Sequence, residues 1–590
     1  MCGIIGQFKK NTIDKNVFYQ MRDTMFHRGP DGSGSVFFED DKVALGHRRL
    51  SIIELSELGK QPMKSLCNRF WLTFNGEIYN YQILKKELEE LGEEFISNSD
   101  SEVILVGFKV FGIQKLLSKL KGMFAFCIWD TINKKAYFAR DRFGMKPFYY
   151  YKDDKQFVFA SELKAIVKDT SIKRVIDNNA IADYFIYSYI PGENSIWENC
   201  KKLLPAHFAI YDYTSNKLQI EKYWELEVGD RIIDKEEAIE ETKRLIVNSV
   251  KDHLVSDVPV GMFLSGGYDS TTVLKNVSDL GYKMNTFSLG FDDSNRSEHK
   301  VAKTIANHFS SNHFEHILDS NQDYFKDLKK LSYFYDEPFA ISSMLPYYYV
   351  SKFTSESNKV ALVGDGGDEA FGGYKWYNAI DKYFTNQSYK RKLHQFYIGK
   401  ENKFLEIYNK SMTGILPREE NLNFLNKSIV TNIEKRNLWY FKKHFIGCND
   451  PVKSAQFIDV NSFISDHGLV RADRSSMANS IEVRVPFLDH EIYEFTFGLH
   501  SSVYFDKNRK KPLLEENLKG YIPEEVFKMP KYGFSFQHLN KLFGKEFESL
   551  ILNGELLKLG IINKEINFKK LTNLTKFHLM MLEFWFQNYN

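Results

Sequence analysis

Hydrophobic positions are spaced differently in the two halves of this chain. From Met1 to about Tyr213, short apolar runs recur: CGIIGQF, KVALGHRRLSII, RFWLTFNGEIY, MFAFCIWD, KAYFAR, FYYY and QFVFAS. Turn formers such as PDGSG, NG and RDRFG separate them, so the runs predict antiparallel strands joined as hairpins. Two stretches keep a helical period instead. Leu84, Leu88 and Leu91 share a face between Asn80 and Gly92, and Val103, Ile104, Phe108 and Val110 or Phe111 do so between Ser101 and Gly112. Stacked antiparallel sheets with flanking helices, an α+β arrangement, are the expected result. Residues 178 to 224 read as a loop-rich transition, with the boundary within or just after it.

From about Asp234 the period alternates. EEAIEETKRLIVNSVKDHL is an amphipathic helix, VPVGMFL a buried strand and STTVLKNVSDLG a helix. MNTFSLGF is a strand, HKVAKTIANHF a helix and KVALVGD a strand. Such alternation predicts an α/β, doubly wound parallel sheet, and the remainder to Asn590 reads as mostly helical. The expected domains are 2–213 and 234–590.

Composition removes several alternatives. The 590 residues carry 79 basic against 77 acidic side chains, net +2, which argues against a dedicated nucleic-acid binder. Cys2, Cys67, Cys127, Cys200 and Cys448 form no CxxC pair, disulfide framework or zinc spacing. A reducing, intracellular setting is the simplest reading. No apolar run is long enough to span a membrane, and MCGIIGQF lacks a signal peptide's basic start, so the expected location is cytoplasmic.

Candidate chemistry lies at two places. Cys2 follows the initiator, and loss of Met1 would put a thiol and a free α-amine on one residue. That amine, with a pKa of about 7.7–8.0, can serve as base for the thiol. In the second half, SGGYDS (Ser265 to Ser270) follows a strand and opens a helix, the recipe for cradling phosphates with exposed N–H groups and a positive helix end. It is not the Walker pattern. GDGGDEAFGGY (Gly364 to Tyr374) gathers Asp365, Asp368 and Glu369 at a strand end, where carboxylates suit Mg2+ shared with phosphate oxygens.

HRGPDGSG (His27 to Gly34), GHRRLSI (Gly46 to Ile52), NGEIYN (Asn75 to Asn80) and SDSEV (Ser99 to Val103) follow MCGI in order. Together they resemble the glutaminase domain of the N-terminal-nucleophile amidotransferases. SGGYDS, YDEPFAISS (Tyr335 to Ser343), GDGGDEAFGGY, DRSSMANSIEVRVPFLD (Asp473 to Asp489), KPLL (Lys511 to Leu514) and PEEVFKMPKYGF (Pro523 to Phe534) look like asparagine synthetase family motifs over nearly all of the second half.

The resemblance implies roles. Cys2 is the nucleophile, and Asn75 and Gly76 form the oxyanion hole. Arg49, favoured over Arg48, pairs with the glutamine α-carboxylate. Asp100 and the backbone near Gly76 hold the α-ammonium, and Glu77 is either a ligand contact or structural. Leu264, Ser288, Leu289, Val363 and Gly364 fall at adenine and ribose contacts. Ser265, Gly266, Gly267, Asp269 and Ser270 grip pyrophosphate. Asp269 and Asp368 are the implied Mg2+ ligands, and Asp365 and Lys511 face the acceptor or its acyl-adenylate.

The implied activity has two halves: glutamine hydrolysis at Cys2, and ATP-driven amidation of a carboxylate with release of AMP and pyrophosphate. Aspartate is the expected acceptor. Tyr268, Thr271, Val363, Asp365, Ile341 and Glu515 depart from common family residues, several of them near the acceptor. A uronic acid of a surface-polysaccharide precursor therefore stands as the alternative, and a non-catalytic glutamine or nucleotide sensor as a reading from another class. Relatives often dimerise, which leaves a homodimer open.

Overall fold

The computed structural model describes residues 1–292, 298–319, 322–385, 400–412, 422–447, 449–524, 536 and 539–589. Cys448 and most of the PEEVFKMPKYGF motif lie outside the described residues.

The N-terminal part contributes β1 (Gly3–Lys9), β2 (Gly32–Phe38), β3 (Val43–Arg49), β4 (Met63–Lys64), β5 (Phe70–Ile78), β6 (Gly122–Asp130), β7 (Lys135–Arg140), β8 (Tyr149–Lys152), β9 (Gln156–Ala160), β10 (Cys200–Lys202), β11 (His207–Asp212) and β12 (Lys217–Lys222). They form two antiparallel sheets, ordered β10-β8-β9-β1-β3-β2 and β12-β11-β7-β6-β5-β4. The second sheet therefore runs past residue 213 to Lys222.

Period-2 alternation explains the layering. Ile4 and Phe8 of β1 turn inward, where Val43, Leu45, Ala125, Cys127, Trp129, Phe138 and Phe159 from both sheets close one core. Ile5, between them, faces outward onto Phe18 and Met21 of the helix Lys15–Asp23. The outer face of the second sheet meets Leu84, Leu88, Val103 and Ile104 of two helices. The result is four layers, helix, sheet, sheet, helix, as the α+β reading expects.

The C-terminal part holds β13 (Val260–Phe263), β14 (Asn285–Phe291), β15 (Asn312–Leu318), β16 (Val360–Leu362) and β17 (Glu482–Arg484), all parallel, ordered β15-β14-β13-β16-β17. Strand order reverses between β13 and β16, the switch point where ligands bind doubly wound sheets. Among the described residues, no helix is long and apolar enough to cross a membrane.

Three local readings change. Leu91 is 58% exposed, because its helix ends at Glu90 and Leu91 only caps it. The helix expected to stop near Gly112 does break there, at φ +70° and ψ 174°, and a second helical stretch then runs on to Lys119. The loop-rich transition contains a buried helix, Asn178–Tyr187, capped by Asp177 and tied by Asp183 to Arg436 and Trp439.

Phe8 on β1 is fully buried, with its ring centroid 5.3 Å from that of Trp129 and 5.4 Å from that of Tyr211. Phe8→Ala is expected to cost about 3–5 kcal/mol. A fall in the urea midpoint followed by intrinsic fluorescence measures it, and an unchanged midpoint would contradict this packing.

Candidate active site

Cys2 is placed by β1, whose Gly3 opposes Arg48 on β3. Its amide N–H donates to Asn75 Oδ1 at 2.8 Å, and its thiol lies 3.9 Å from the Leu50 carbonyl oxygen. Burial pushes the thiol pKa up. In the chain as encoded, the α-amine belongs to Met1. That residue packs among Leu50, Ile52, Val360 and Met477, and its amine pairs with Glu482 at 3.1 Å. An amine base on Cys2 itself requires removal of Met1.

Asn75 is fully buried on β5, and its side-chain Nδ2 has no acceptor among the described residues. A buried donor left unpaired costs about 1–3 kcal/mol, so this amide is poised for an acceptor beside the Cys2 thiol. Gly76 follows. A Cβ there would meet the Met123 carbonyl oxygen at 2.0 Å, so only glycine fits. On the free edge of β5, Phe74 N–H donates to Gln61 Oε1 and Ile78 N–H to Asp100 Oδ2. The Gly76 N–H lies between them on the same edge.

Arg48 and Arg49 diverge because β3 alternates. Arg48 is buried, donating to the Gly29 carbonyl oxygen at 3.1 Å and to Asp23 at 3.3 Å. Arg49 is half-buried, donates to the carbonyl oxygens of Ser56 (2.9 Å) and Glu54, and acts electrostatically on the Cys2 thiol. Asp100 opens the helix Asp100–Lys119, and burial raises its pKa to about 6. Glu77 lies 3.5 Å from Arg484 of the second half, and burial raises it well above the usual carboxylate range.

The second constellation surrounds the switch point. Gly266 has φ +78°, and a Cβ there would press on Val301 and Ala302. The Ser265 and Ser270 hydroxyls meet at 3.1 Å and close the loop, leaving Gly267 to cap the helix Tyr268–Asp279. Leu264 N–H donates to the Phe287 carbonyl oxygen, and Ser288 Oγ contacts His313 Nε2 at 3.1 Å. Leu289, on the same strand β14, is buried. Val363 follows β16, and Gly364 approaches so closely that a Cβ would lie 2.7 Å from Ser270 N.

Lys511 is 3% exposed and bridges Asp269 and Asp368, at 2.6 Å from the latter. It holds a left-handed backbone (φ +50°) just before the helix Pro512–Leu518, a strained geometry that functional sites tend to store. A Cβ on Gly373 would strike both Asp368 and Lys511. Glu369 leaves this cluster. It is buried against the Tyr374 hydroxyl (2.7 Å), and burial lifts its pKa to about 8.

Among the described residues, no group of three or more His, Cys, Asp or Glu side chains converges on a metal position. Two carboxylates sharing one ammonium nevertheless suit Mg2+, which takes few protein ligands and fills its shell with phosphate oxygens and water.

In a third group, the sequence pointed to Asp365 at the acceptor but assigned no role to its partners. Arg471 Nη2 donates to Asp365 Oδ1 at 2.5 Å and Nη1 to Ser343 Oγ at 3.3 Å, while the Tyr347 hydroxyl donates to Asp365 Oδ2 at 3.2 Å. Nor did it anticipate the buried ions joining the halves. Arg28 forks onto Asp473 with two 2.8 Å bonds, Arg474 reaches Glu162 (2.7 Å) and Asp336 (3.3 Å), and Lys164 pairs with Glu162. These side chains lie inside the motifs or near them, but no spacing signals contacts across hundreds of residues.

Comparison with known proteins places both halves. The family model described as a glutamine amidotransferase domain matches residues 1–224, and that described as asparagine synthase matches residues 241–586. Asparagine synthetase [glutamine-hydrolyzing] 1 of Bacillus subtilis (strain 168) is 32% identical over 560 residues, spanning 90% of this chain and 87% of that protein. Asparagine synthetase [glutamine-hydrolyzing] 3 of the same organism is 28% identical over 565 residues, spanning 91% and 87%.

The Lys511 bridge makes the carboxylate pair testable. Lys511→Met removes the competing ammonium and leaves two facing carboxylates. Calorimetric titration with Mg2+ alone is expected to give about tenfold tighter binding than in the unsubstituted protein. Equal affinities would show that Asp269 and Asp368 are not a metal pair.

Proposed function

This chain belongs to the asparagine synthase family, and from that premise we propose that it is a glutamine-dependent ligase that amidates aspartate with ATP. With Met1 removed, the Cys2 α-amine takes the thiol proton and the sulfur attacks the glutamine amide carbon. The C–N bond breaks, ammonia leaves with that proton, and a glutamyl thioester remains for water to hydrolyse to glutamate. Asn75 Nδ2 and the Gly76 N–H serve the oxyanion, where one such donor contributes about 3 kcal/mol. Arg49 takes the substrate carboxylate and Asp100 its ammonium. Glu77, turned to Arg484, is assigned to the contact between halves rather than to glutamine.

At the switch point, the helix Tyr268–Asp279 and the 265–270 loop receive the ATP phosphates. An aspartate β-carboxylate oxygen attacks the α-phosphorus, pyrophosphate leaves, and ammonia then displaces AMP from the acyl-adenylate. Lys511 moves onto the developing phosphate charge. Mg2+ held by Asp269 and Asp368 would neutralise phosphate oxygens.

The observation that carries the acceptor is the Arg471–Asp365 pair beside this loop. Together they offer a cation for an α-carboxylate and an anion for an α-ammonium, the two charges of an amino acid. A uronic acid has no ammonium for Asp365. The proposed glutaminase domain is 2–213 extended through β12 to Lys222, and the proposed synthetase domain is 234–590.

Pyrophosphate release with glutamine, ATP and Mg2+ is expected to rise on adding aspartate, with asparagine formed. Cys2→Ala should abolish this with glutamine and retain it with ammonia. Glutamine hydrolysis without aspartate-dependent pyrophosphate would instead assign another carboxylate.

The pH dependence has a defined sign. Asp100, with a pKa of about 6, must be ionised to receive an ammonium. Its competent fraction falls as pH drops below that value, so KM for glutamine should rise about tenfold per pH unit there. A flat KM from pH 7 to 5 would remove Asp100 from glutamine binding.

A further inference from the structure

The contact between the halves passes through the nucleophile's own backbone. Arg28 is fully buried, and its donors are divided among three partners. Nε donates to the Cys2 carbonyl oxygen at 3.1 Å, and Nη1 donates to Glu162 Oε1 at 3.0 Å. Nη1 and Nη2 together fork onto both oxygens of Asp473 at 2.8 Å. A guanidinium is planar and a bidentate fork fixes that plane, so one rigid group registers Cys2 against Asp473.

Asp473 belongs to the helix Leu469–Met477. Two residues earlier on that helix, Arg471 holds Asp365 at the acceptor side. Residues two apart on a helix point to nearly opposite faces, so the helix stands as the partition between the two sites. Beside Asp473, a cavity of about 20 Å3, room for about one water, is lined by Met145, Tyr149, Leu469, Asp473 and Arg474 from both halves.

We propose that Arg28 is a positioning residue which, through Asp473, holds the Cys2 backbone in register with this partition helix, so that nitrogen released at Cys2 is consumed at the acceptor instead of escaping to water. The inference rests on the two-site function above. It assigns Arg28 no contact with glutamine. Lysine cannot replace it, because a single ammonium cannot hold the Cys2 carbonyl and both Asp473 oxygens in one plane. On the far side of the fork the same helix is fixed independently, by Arg474 on Asp336 and by Ser475 Oγ, which donates to the Met344 carbonyl oxygen at 3.0 Å. Loss of the fork therefore frees the nucleophile's side while leaving the acceptor side anchored.

The test is Asp473→Asn in the full chain, with glutamate and asparagine both measured. The expected result is glutamate formed per asparagine rising by about tenfold or more, the scale on which a shift of about 1 Å acts. Asparagine synthesis from added ammonia should stay within about twofold of the unsubstituted enzyme, since that site keeps its own partners. A ratio that stays unchanged, or an ammonia-driven rate that falls in parallel, would overturn the proposal. If Asp473→Asn does not fold, Arg28→Lys is measured in its place: a raised ratio supports the proposal and an unchanged one overturns it. The unsubstituted enzyme tests the function separately. If it hydrolyses glutamine but makes no asparagine from either nitrogen source, the aspartate reading falls. The ratio is then glutamate over pyrophosphate, with the carboxylate that does support pyrophosphate release.

Discussion

Three cations and three carboxylates are buried together between the halves: Arg28, Lys164 and Arg474 against Glu162, Asp336 and Asp473. Taking that many charges out of water is costly, and the cost is offset only when each charge keeps its partner in good geometry. His27 touches Glu162 at 3.1 Å, but burial lowers its pKa to about 4, so it adds no charge at neutral pH. Asp473 shows the balance. Burial acts to raise its pKa, yet the Arg28 guanidinium holds it below the ordinary value. A sliding or tilting of the halves would separate these partners without hydrating them. The interface is therefore held by a penalty on every other arrangement, and both sites inherit that registration.

A second charged group reinforces the first. Arg484 holds Glu482 at 2.6 Å, faces Glu77 at 3.5 Å, and donates to the carbonyl oxygens of His253 and Val255. The strand that carries Arg484 is β17, the last strand of the parallel sheet, so the sheet edge is also the interface. The loop that touches Arg49 adds another link, with Asp257 N–H donating to the Ile52 carbonyl oxygen and Glu54 N–H to Asp257 Oδ2. Asp257 lies three residues before β13, which delivers the 265–270 loop. The surroundings of Arg49 and the 265–270 loop are thus joined by short covalent and hydrogen-bonded paths.

Much of this was legible in the residues. Period-2 runs gave the paired sheets, and strand–helix alternation gave the parallel one, because both periods follow from which face must be buried. The 265–270 turn could be located because its pattern is local: a strand end, glycines and a helix start lie consecutively. What escaped was non-local or depended on length. Leu91 fits the helical period but falls past the helix end. β15, NHFEHIL, alternates with charged and polar side chains at a sheet edge and shows no apolar run. The helix Asn178–Tyr187 is buried on nearly every side, so it has no amphipathic stripe to read. Arg28 and Asp473 stood in recognisable motifs, yet only the folded chain sets them face to face.

The Lys511 geometry gives the two sites different characters. Around Cys2 the unmet demand is for an acceptor, since the Asn75 amide is buried without one. Around Asp269 and Asp368 the demand is for positive charge, and the chain meets it internally with a lysine in a strained backbone. Gly367 and Gly373 let the backbone pass so close that an added Cβ would lie 2.5 Å from Asp269 and 1.9 Å from Asp368. The ammonium and a metal would compete for the same two carboxylates. On the proposed function, a polyphosphate in the adjacent loop would draw the ammonium away, and phosphate and metal would then favour each other equally in both directions. Glutamine chemistry, with its acceptor gap already built, carries no such requirement.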